Sequence, residues 1–164
     1  MKKFAIFAIA AMLCVSFAAS QADAGAKIRV GGGMIFDGSI PGGGVAVDIP
    51  MSDKPYGITL STEYYKKSGV TLMPVRIMAM FMTPAGEKAD FYLGAGSGLY
   101  YTKVKILAAS ASTTKALGTA VAGINFKASE SFGIYIEGGI DRALTSGASN
   151  DIGARAGISF GVGE

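Results

Sequence analysis

The feature that most constrains this chain is an alternation of apolar residues with small or polar residues, which runs from about residue 27 to the C-terminal end. A period of two residues is typical of β-strands with one apolar and one polar face. Segments rich in glycine, proline, serine and aspartate, which favour turns, interrupt the alternation. The predicted strands are 27–36, 43–51, 56–66, 70–83, 89–103, 116–128, 132–144 and 152–162. Short turns between strands of this spacing predict an all-β chain of antiparallel hairpins.

The two faces of each predicted strand differ in kind. In the last strand, Ile158 and Phe160 share an apolar face, whereas Arg155 and Gly157 share the opposite one. The polar faces carry mostly glycine, serine, threonine and tyrosine, whereas lysine is nearly confined to strand ends and turns. Small residues suit the crowded interior of a narrow barrel, and the planar guanidinium of arginine can satisfy buried carboxylates. The mid-strand charges predicted to form a network in the lumen are Arg29, Glu63, Arg76, Glu137, Asp141 and Arg155.

The apolar faces carry almost no charge, as expected of a surface that contacts lipid. A lipid-facing charge near the bilayer centre costs about 2–4 kcal/mol. Tilted strands of about ten residues can cross the hydrocarbon core, and closure of the sheet satisfies every backbone group. The sequence therefore predicts an eight-stranded antiparallel up-and-down transmembrane β-barrel. The reverse arrangement, a soluble periplasmic barrel that binds an apolar ligand, is the alternative fold of the same pattern.

The first residues have the layout of a secretory signal peptide. Lys2 and Lys3 precede an uncharged apolar run, and Ala22-Asp23-Ala24 resembles a cleavage site. We therefore expect residues 1–24 to be a signal peptide and residues 25–164 to be one barrel domain. The mature chain would have 13 Lys and Arg against 11 Asp and Glu, and would lack the chain's one cysteine, Cys14. This near-neutral balance gives no reason to expect nucleic acid as a partner.

Several kinds of chemistry are not supported by the sequence. The chain has no histidine, which excludes Ser-His-Asp and Cys-His catalysis and histidine-ligated metals. The glycine-rich stretches at 31–33, 42–44 and 94–98 do not match a phosphate-binding loop. Glu137 and Asp141, four apart on one predicted strand, would lie about 13 Å apart, too far for a glycosidase pair. We expect neither an enzyme nor a cofactor or metal site.

Three segments carry a resemblance to the small outer-membrane β-barrel family, which includes the outer membrane protein A, X and W types. The stretch Asp90–Tyr100, with its Gly-x-Gly-x-Gly, resembles a strand of that family, and 123–141 resembles one of its hairpins. The end of the chain, 155–162, resembles the β-signal read by the barrel-assembly machinery, with Gly157, Phe160 and Val162 at the characteristic positions. The chain ends in Gly163-Glu164 rather than an aromatic residue and has no tryptophan.

The resemblance implies a monomeric protein of the bacterial outer membrane, with both termini and the turns at 52–55, 84–88 and 129–131 in the periplasm. The barrel-assembly machinery would then be a partner during biogenesis. The tyrosines near strand ends, which could form an interfacial girdle, are Tyr56, Tyr64, Tyr65, Tyr100 and Tyr101. The lysines of the opposite rim, which could contact the phosphates of lipopolysaccharide, are Lys66, Lys67, Lys103, Lys105 and Lys115.

The function expected on this basis is non-enzymatic. It is a structural role in envelope integrity or a role in surface contact, performed by a barrel with a polar, salt-bridged lumen. A narrow porin-like pore for small solutes is the alternative within the same fold, although eight strands leave an interior that side chains nearly fill. The soluble ligand-binding barrel is the alternative outside it.

Overall fold

The computed structural model describes residues 25–51, 54–106 and 109–162. These residues form eight strands, β1 (Ala26–Ile35), β2 (Ile40–Pro50), β3 (Tyr56–Lys67), β4 (Val70–Pro84), β5 (Ala89–Ile106), β6 (Ala109–Lys127), β7 (Phe132–Ala143) and β8 (Asn150–Val162). The predicted signal peptide, residues 1–24, lies outside the described residues. Within the described ranges, no helix is long and apolar enough to cross a bilayer.

The eight strands form one closed antiparallel barrel. Each strand pairs with its neighbour in chain order, and β1 pairs with β8 from Ala26↔Val162 to Ile35↔Gly153. Closure leaves no sheet edge along the wall, so backbone groups there bond to neighbouring strands. The predicted eight-stranded up-and-down β-barrel is confirmed. We call the end that holds Ala26 and Val162 the terminal end, and the opposite end the distal end.

The turn between β3 and β4 shows how local sequence determines the register of a hairpin. Lys67 pairs with Val70, so Ser68 and Gly69 form a two-residue loop. Their φ angles are 46° and 83°. Positive φ at both positions is the type I′ geometry that matches the twist of the flanking strands. Glycine adopts this conformation without the steric cost that a Cβ imposes.

The apolar faces of the strands point away from the barrel axis. In β4, Val75 and Ile77 are 46% and 52% exposed, whereas Arg76 and Met78 between and beside them are buried. In β7, Ile136 is exposed and its neighbour Glu137 is buried. The soluble alternative requires the opposite arrangement, with apolar side chains directed inward and charged ones in solvent.

The strand limits differ from prediction at the distal end. The segment 107–115 was predicted to be a turn, but β6 begins at Ala109 and pairs with β5 as far as Ile106↔Ala109. This segment contains leucine, alanine, serine, threonine and lysine but neither glycine nor proline, so no residue in it opposes extended pairing. The loop between β1 and β2 is also shorter than predicted, because β2 begins at Ile40.

Two of the five tyrosines assigned to the interfacial girdle face the lumen instead. Tyr65 and Tyr100 are buried and pack together with Ile35, Leu72 and Leu117. The reason is the strand period, since Tyr65 is in phase with the inward-facing Glu63. Tyr56 and Tyr64 face outward, as a girdle requires.

Candidate functional site

The most distinctive feature of the lumen is a chain of ion pairs in which acidic and basic side chains alternate. Three arginines and four carboxylates take part, supplied by six of the eight strands. Their order along the chain of contacts is Asp48, Arg29, Glu137, Arg155, Glu63, Arg76 and Asp141. Each arginine therefore contacts two carboxylates.

Arg29 connects β1 to β2 and β7. Its Nε and Nη2 donate to the two carboxylate oxygens of Asp48, at 2.7 and 2.9 Å. Its Nη1 donates to Glu137 Oε2 at 2.6 Å and to the hydroxyl oxygen of Tyr92 at 2.9 Å. Thr59 donates a further hydrogen bond of 2.6 Å to Asp48 Oδ1. Such bidentate, charge-assisted pairs fix both partners in one geometry.

Arg76 and Arg155 complete the chain on the distal side. The Nε of Arg76 donates to Asp141 Oδ1 at 3.0 Å, its Nη2 donates to the other oxygen of Asp141, and its Nη1 donates to Glu63. Arg155 donates to Glu137 and forms an ion pair with Glu63. Because both glutamates are shared between two arginines, the three guanidiniums are linked into one network.

Glycines on adjacent strands make room for these long side chains. Gly44 lies directly opposite Glu63, and Gly33 lies opposite Arg155. A Cβ on Gly33 would approach Arg155 Cγ within 2.6 Å, and one on Gly44 would collide with the side chain of Glu63. The long side chains of Arg155 and Glu63 therefore require glycine at the facing positions. This requirement explains why glycine is concentrated on the polar faces of the strands.

Apolar clusters and small polar groups fill the lumen on both sides of the ion pairs. On the distal side lies the cluster of Ile35, Tyr65, Leu72, Tyr100 and Leu117, and towards the terminal end lies that of Met78, Met80, Tyr92 and Val121. The cavities beside Arg155 are about the size of one water molecule. Beside Arg155, the lumen that the structure describes therefore has room for little more than single water molecules.

Polar pairs lie at the two ends of the filled interior. At the distal end, the hydroxyl of Tyr100 donates to Asp151 Oδ2 at 2.6 Å. At the terminal end, Asp90 lies between Lys127 at 2.7 Å and Lys27 at 3.7 Å. The two pairs of Asp90, which are partly exposed, add little stability compared with the buried pairs.

The six charged residues predicted for the lumen all belong to the ion-pair chain, and sequence reasoning missed one further member. Asp48 is buried and bonded to Arg29 and Thr59. It was missed because no inward and outward faces were assigned to the second predicted strand from the sequence. The alternation of the strand could have identified it. Asp48 is four residues from Gly44, so both lie on the same face, and Gly44 pairs with the inward-facing Glu63.

The predicted rim lysines lie at the distal end but make different contacts. Lys66 and Lys103 lie in one row across the sheet, separated by Thr71 of β4. Lys67 Nζ donates to the carbonyl oxygen of Gly38 at 2.7 Å, and Lys115 Nζ lies 3.5 Å from Thr145 Oγ1. Lys105, on the outer face of β5, is exposed.

The three positions of the predicted β-signal lie on β8, which closes the barrel against β1. Gly157 is on the lumen face opposite Gly31. Phe160 and Val162 are on the outer face, and the ring of Phe160 lies 5.6 Å from that of Phe132 on β7. In the part of the chain that the structure describes, no three acidic, cysteine or histidine side chains are grouped as a metal site would require.

No protein-family model matches the sequence, and no curated protein matches it significantly. Solved structures do match the fold. The N-terminal β-barrel domain of Pseudomonas aeruginosa OprF superposes with a TM-score of 0.72 at 16% identity, covering 85% of this chain and 98% of that one. Neisserial surface protein A gives a TM-score of 0.63 at 12% identity, covering 82% of this chain and 93% of the other.

The attachment invasion locus protein Ail of Yersinia pestis has the same fold. Its TM-score is 0.58 at 15% identity, covering 83% of this chain and 97% of that one. A second structure of Ail holds the heparin analogue sucrose octasulfate. These similarities show that the chain has the fold of small eight-stranded outer-membrane barrels.

Proposed function

We propose that this chain is a non-enzymatic integral protein of the bacterial outer membrane that serves envelope integrity or surface contact. The observation that carries the proposal is the pairing of an apolar, exposed outer wall with a lumen whose buried charges are joined in one network. The wall residues Leu93, Leu99 and Ile136 are 51%, 56% and 56% exposed. Exposed apolar surface of this extent supports contact of the wall with lipid.

The state of the lumen carboxylates supports a non-enzymatic role. Asp48, Glu63, Glu137 and Asp141 each accept at least one bond from a guanidinium. A carboxylate that acts as base or nucleophile must reach a substrate, and these four are engaged with arginine inside a filled interior. The network is better suited to joining strands than to proton transfer.

Fractionation and gel mobility test the proposed location. We expect the protein to sediment with outer-membrane markers, to resist carbonate extraction and to migrate differently on a gel before and after boiling. Recovery in the periplasmic soluble fraction, with no heat-dependent change in mobility, would contradict the proposal and favour the soluble barrel.

A narrow pore is the second candidate, and the filled lumen argues against it. The test is conductance of the purified protein in a planar bilayer. We expect no steady channel current from wild-type protein, because the ion pairs and both apolar clusters obstruct the axis. A reproducible open-state current would contradict a purely structural role and favour transport of small solutes.

We further propose that lipopolysaccharide phosphates contact the distal rim. Lys66 and Lys103 lie on the outer face next to a row that holds Tyr101 and Met73, the arrangement expected where hydrocarbon meets headgroups. The sulfated ligand of Ail shows that a barrel of this fold can accept a polyanion. The other predicted rim lysines, Lys67, Lys105 and Lys115, lie near this row on the same end.

Charge reversal at the two ends of the barrel tests the rim. The double variant Lys66→Glu, Lys103→Glu should lose the thermal stabilisation that lipopolysaccharide gives to the protein in vesicles. The matched control, Lys54→Glu with Lys88→Glu, changes the charge equally at the terminal end and should retain it. Equal loss in both variants would mean that net charge, not the rim, determines the interaction.

The remaining partner proposals concern assembly. We propose that the barrel-assembly machinery recognises Gly157, Phe160 and Val162 on β8, and that the assembled protein is a monomer. The variant Phe160→Ser should accumulate as unfolded protein in cells while still refolding in detergent. Normal assembly of this variant in cells would contradict a recognition role for β8.

A further inference from the structure

The β5–β6 hairpin has an open strand edge at the distal end of the barrel. The last pair between β6 and β7 is Leu117↔Ala143, yet β6 begins eight residues earlier, at Ala109. Over 109–115, β6 pairs with β5 on one side and with no other described strand on its other side. All residues of this segment are exposed.

The hydrogen-bonding groups of this edge can be assigned residue by residue. Leu144 N donates to the carbonyl oxygen of Ala116 at 2.7 Å, so Ala116 directs its backbone groups towards β7. Because backbone groups alternate between the two sides of an antiparallel strand, Ser110, Ser112 and Thr114 direct theirs to the same side. Beyond the end of β7, this gives three N–H donors and three C=O acceptors along about 13 Å of strand, from Ser110 to Thr114.

The edge lacks the features that usually prevent another strand from pairing there. Proteins protect open edges with proline, bulges or charged side chains directed along the edge. The segment 109–114 contains no proline and no charged residue. The one lysine of the edge, Lys115, stands at its β7 end, where its Nζ lies 3.5 Å from Thr145 Oγ1. The alanine, serine and threonine side chains of 109–114 are small, so both faces of the strand are accessible.

We propose that this edge binds an extended acidic segment of another protein by addition of a β-strand. The charge of the hairpin selects the partner, because 99–117 contains Lys103, Lys105 and Lys115 and no acidic residue. A second copy of the chain would bring the same positive charge to the contact. Backbone bonding to the edge provides affinity in such complexes, and charge complementarity provides selectivity.

Two synthetic ten-residue peptides test the proposal, one of alternating threonine and glutamate and one of alternating threonine and lysine. With full-length mature protein in lipid nanodiscs, we expect the acidic peptide to bind about tenfold more tightly than the basic one. Binding should slow hydrogen exchange at the amides of Ser110, Ser112 and Thr114, since these would donate to the added strand.

A proline substitution separates strand addition from simple charge attraction. Ser112→Pro removes an edge donor without removing a bond to β5, and should weaken binding of the acidic peptide about tenfold. The matched variant Ser112→Ala keeps the backbone donor and should bind like wild type. The heat-dependent gel shift of both variants checks that the barrel remains folded.

The outcomes that overturn the proposal are distinct from failure of the proposed membrane role. Equal binding of the acidic peptide to Ser112→Pro and wild type, with loss only in Lys105→Glu and Lys115→Glu, would assign the hairpin to polyanion binding. Concentration-dependent self-association that Ser112→Pro abolishes would assign the edge to a second copy. Absence of binding by either peptide would also refute the inference, whatever the fractionation shows.

Discussion

Arg29 and Arg155 belong to the same ion-pair chain, but their removal leaves different groups without a partner. Asp48 has no described cation other than Arg29 within ion-pair distance, whereas both carboxylates that contact Arg155 have a second arginine. We therefore expect Arg29→Met to destabilise the barrel by about 3–5 kcal/mol and Arg155→Met to cost clearly less. Urea unfolding of refolded protein in vesicles measures both.

The double variant Arg29→Met, Asp48→Asn is the control for this prediction. The single substitution Arg29→Met leaves the buried Asp48 carboxylate without a cation, and Asp48→Asn removes that charge. The double variant should therefore recover much of the lost stability. Equal destabilisation by Arg29→Met and Arg155→Met would show that the two guanidiniums are equivalent and that partner number does not matter.

Adjacent glycines on β1 test the packing of the lumen. A Cβ on Gly31 would collide with the hydroxyl of Tyr135 and the carbonyl of Ala156, whereas on Gly32 the nearest atom would be 3.5 Å away. Gly31→Val should therefore lower the refolded fraction and the free energy of unfolding, and Gly32→Val should not. The fraction that shifts on an unboiled gel reports the difference, and similar losses in both variants would point to backbone flexibility instead.

At the scale of the strands, the sequence predicted most of what the structure contains, because period-two alternation is a direct consequence of strand geometry. The faces of β1, β3, β7 and β8 followed from it, and so did the six charges predicted for the lumen. What could not be predicted depends on pairing between distant residues. The extension of β6 arises from its register with β5, and Asp48 acquires its role only when β1 brings Arg29 alongside it.

The depth of a strand residue in the membrane gives a second prediction at this scale. Ile136 near the middle of β7 and Leu144 just beyond its end are similarly exposed, at 56% and 61%. We expect Ile136→Arg to cost about 2–4 kcal/mol and Leu144→Arg about 0–1 kcal/mol, since only the first places a charge in hydrocarbon. A purely aqueous protein would show similar, small effects for both in urea unfolding.

For the whole molecule, the distribution of contacts explains how a narrow barrel can be both closed and stable. The buried ion-pair chain joins β1, β2, β3, β4, β7 and β8. In contrast, β5 and β6 are held mainly by their long mutual pairing and by inward apolar side chains such as Tyr92 and Val121. Neither set of contacts requires a ligand. The same arrangement leaves the distal part of the β5–β6 hairpin available for recognition without disturbing the wall.

The central claim is that the apolar face of each strand contacts lipid while the charged face is enclosed. Residues 25–164 contain no cysteine, so single cysteines at 133–140 of β7 can each carry a nitroxide label in a protein that begins at Gly25 and is refolded into vesicles. Collision with dissolved oxygen should peak at 134, 136, 138 and 140 and fall at the positions between. Peaks at 133, 135, 137 and 139, or a water-soluble nickel complex reaching 134 and 136, would contradict the account.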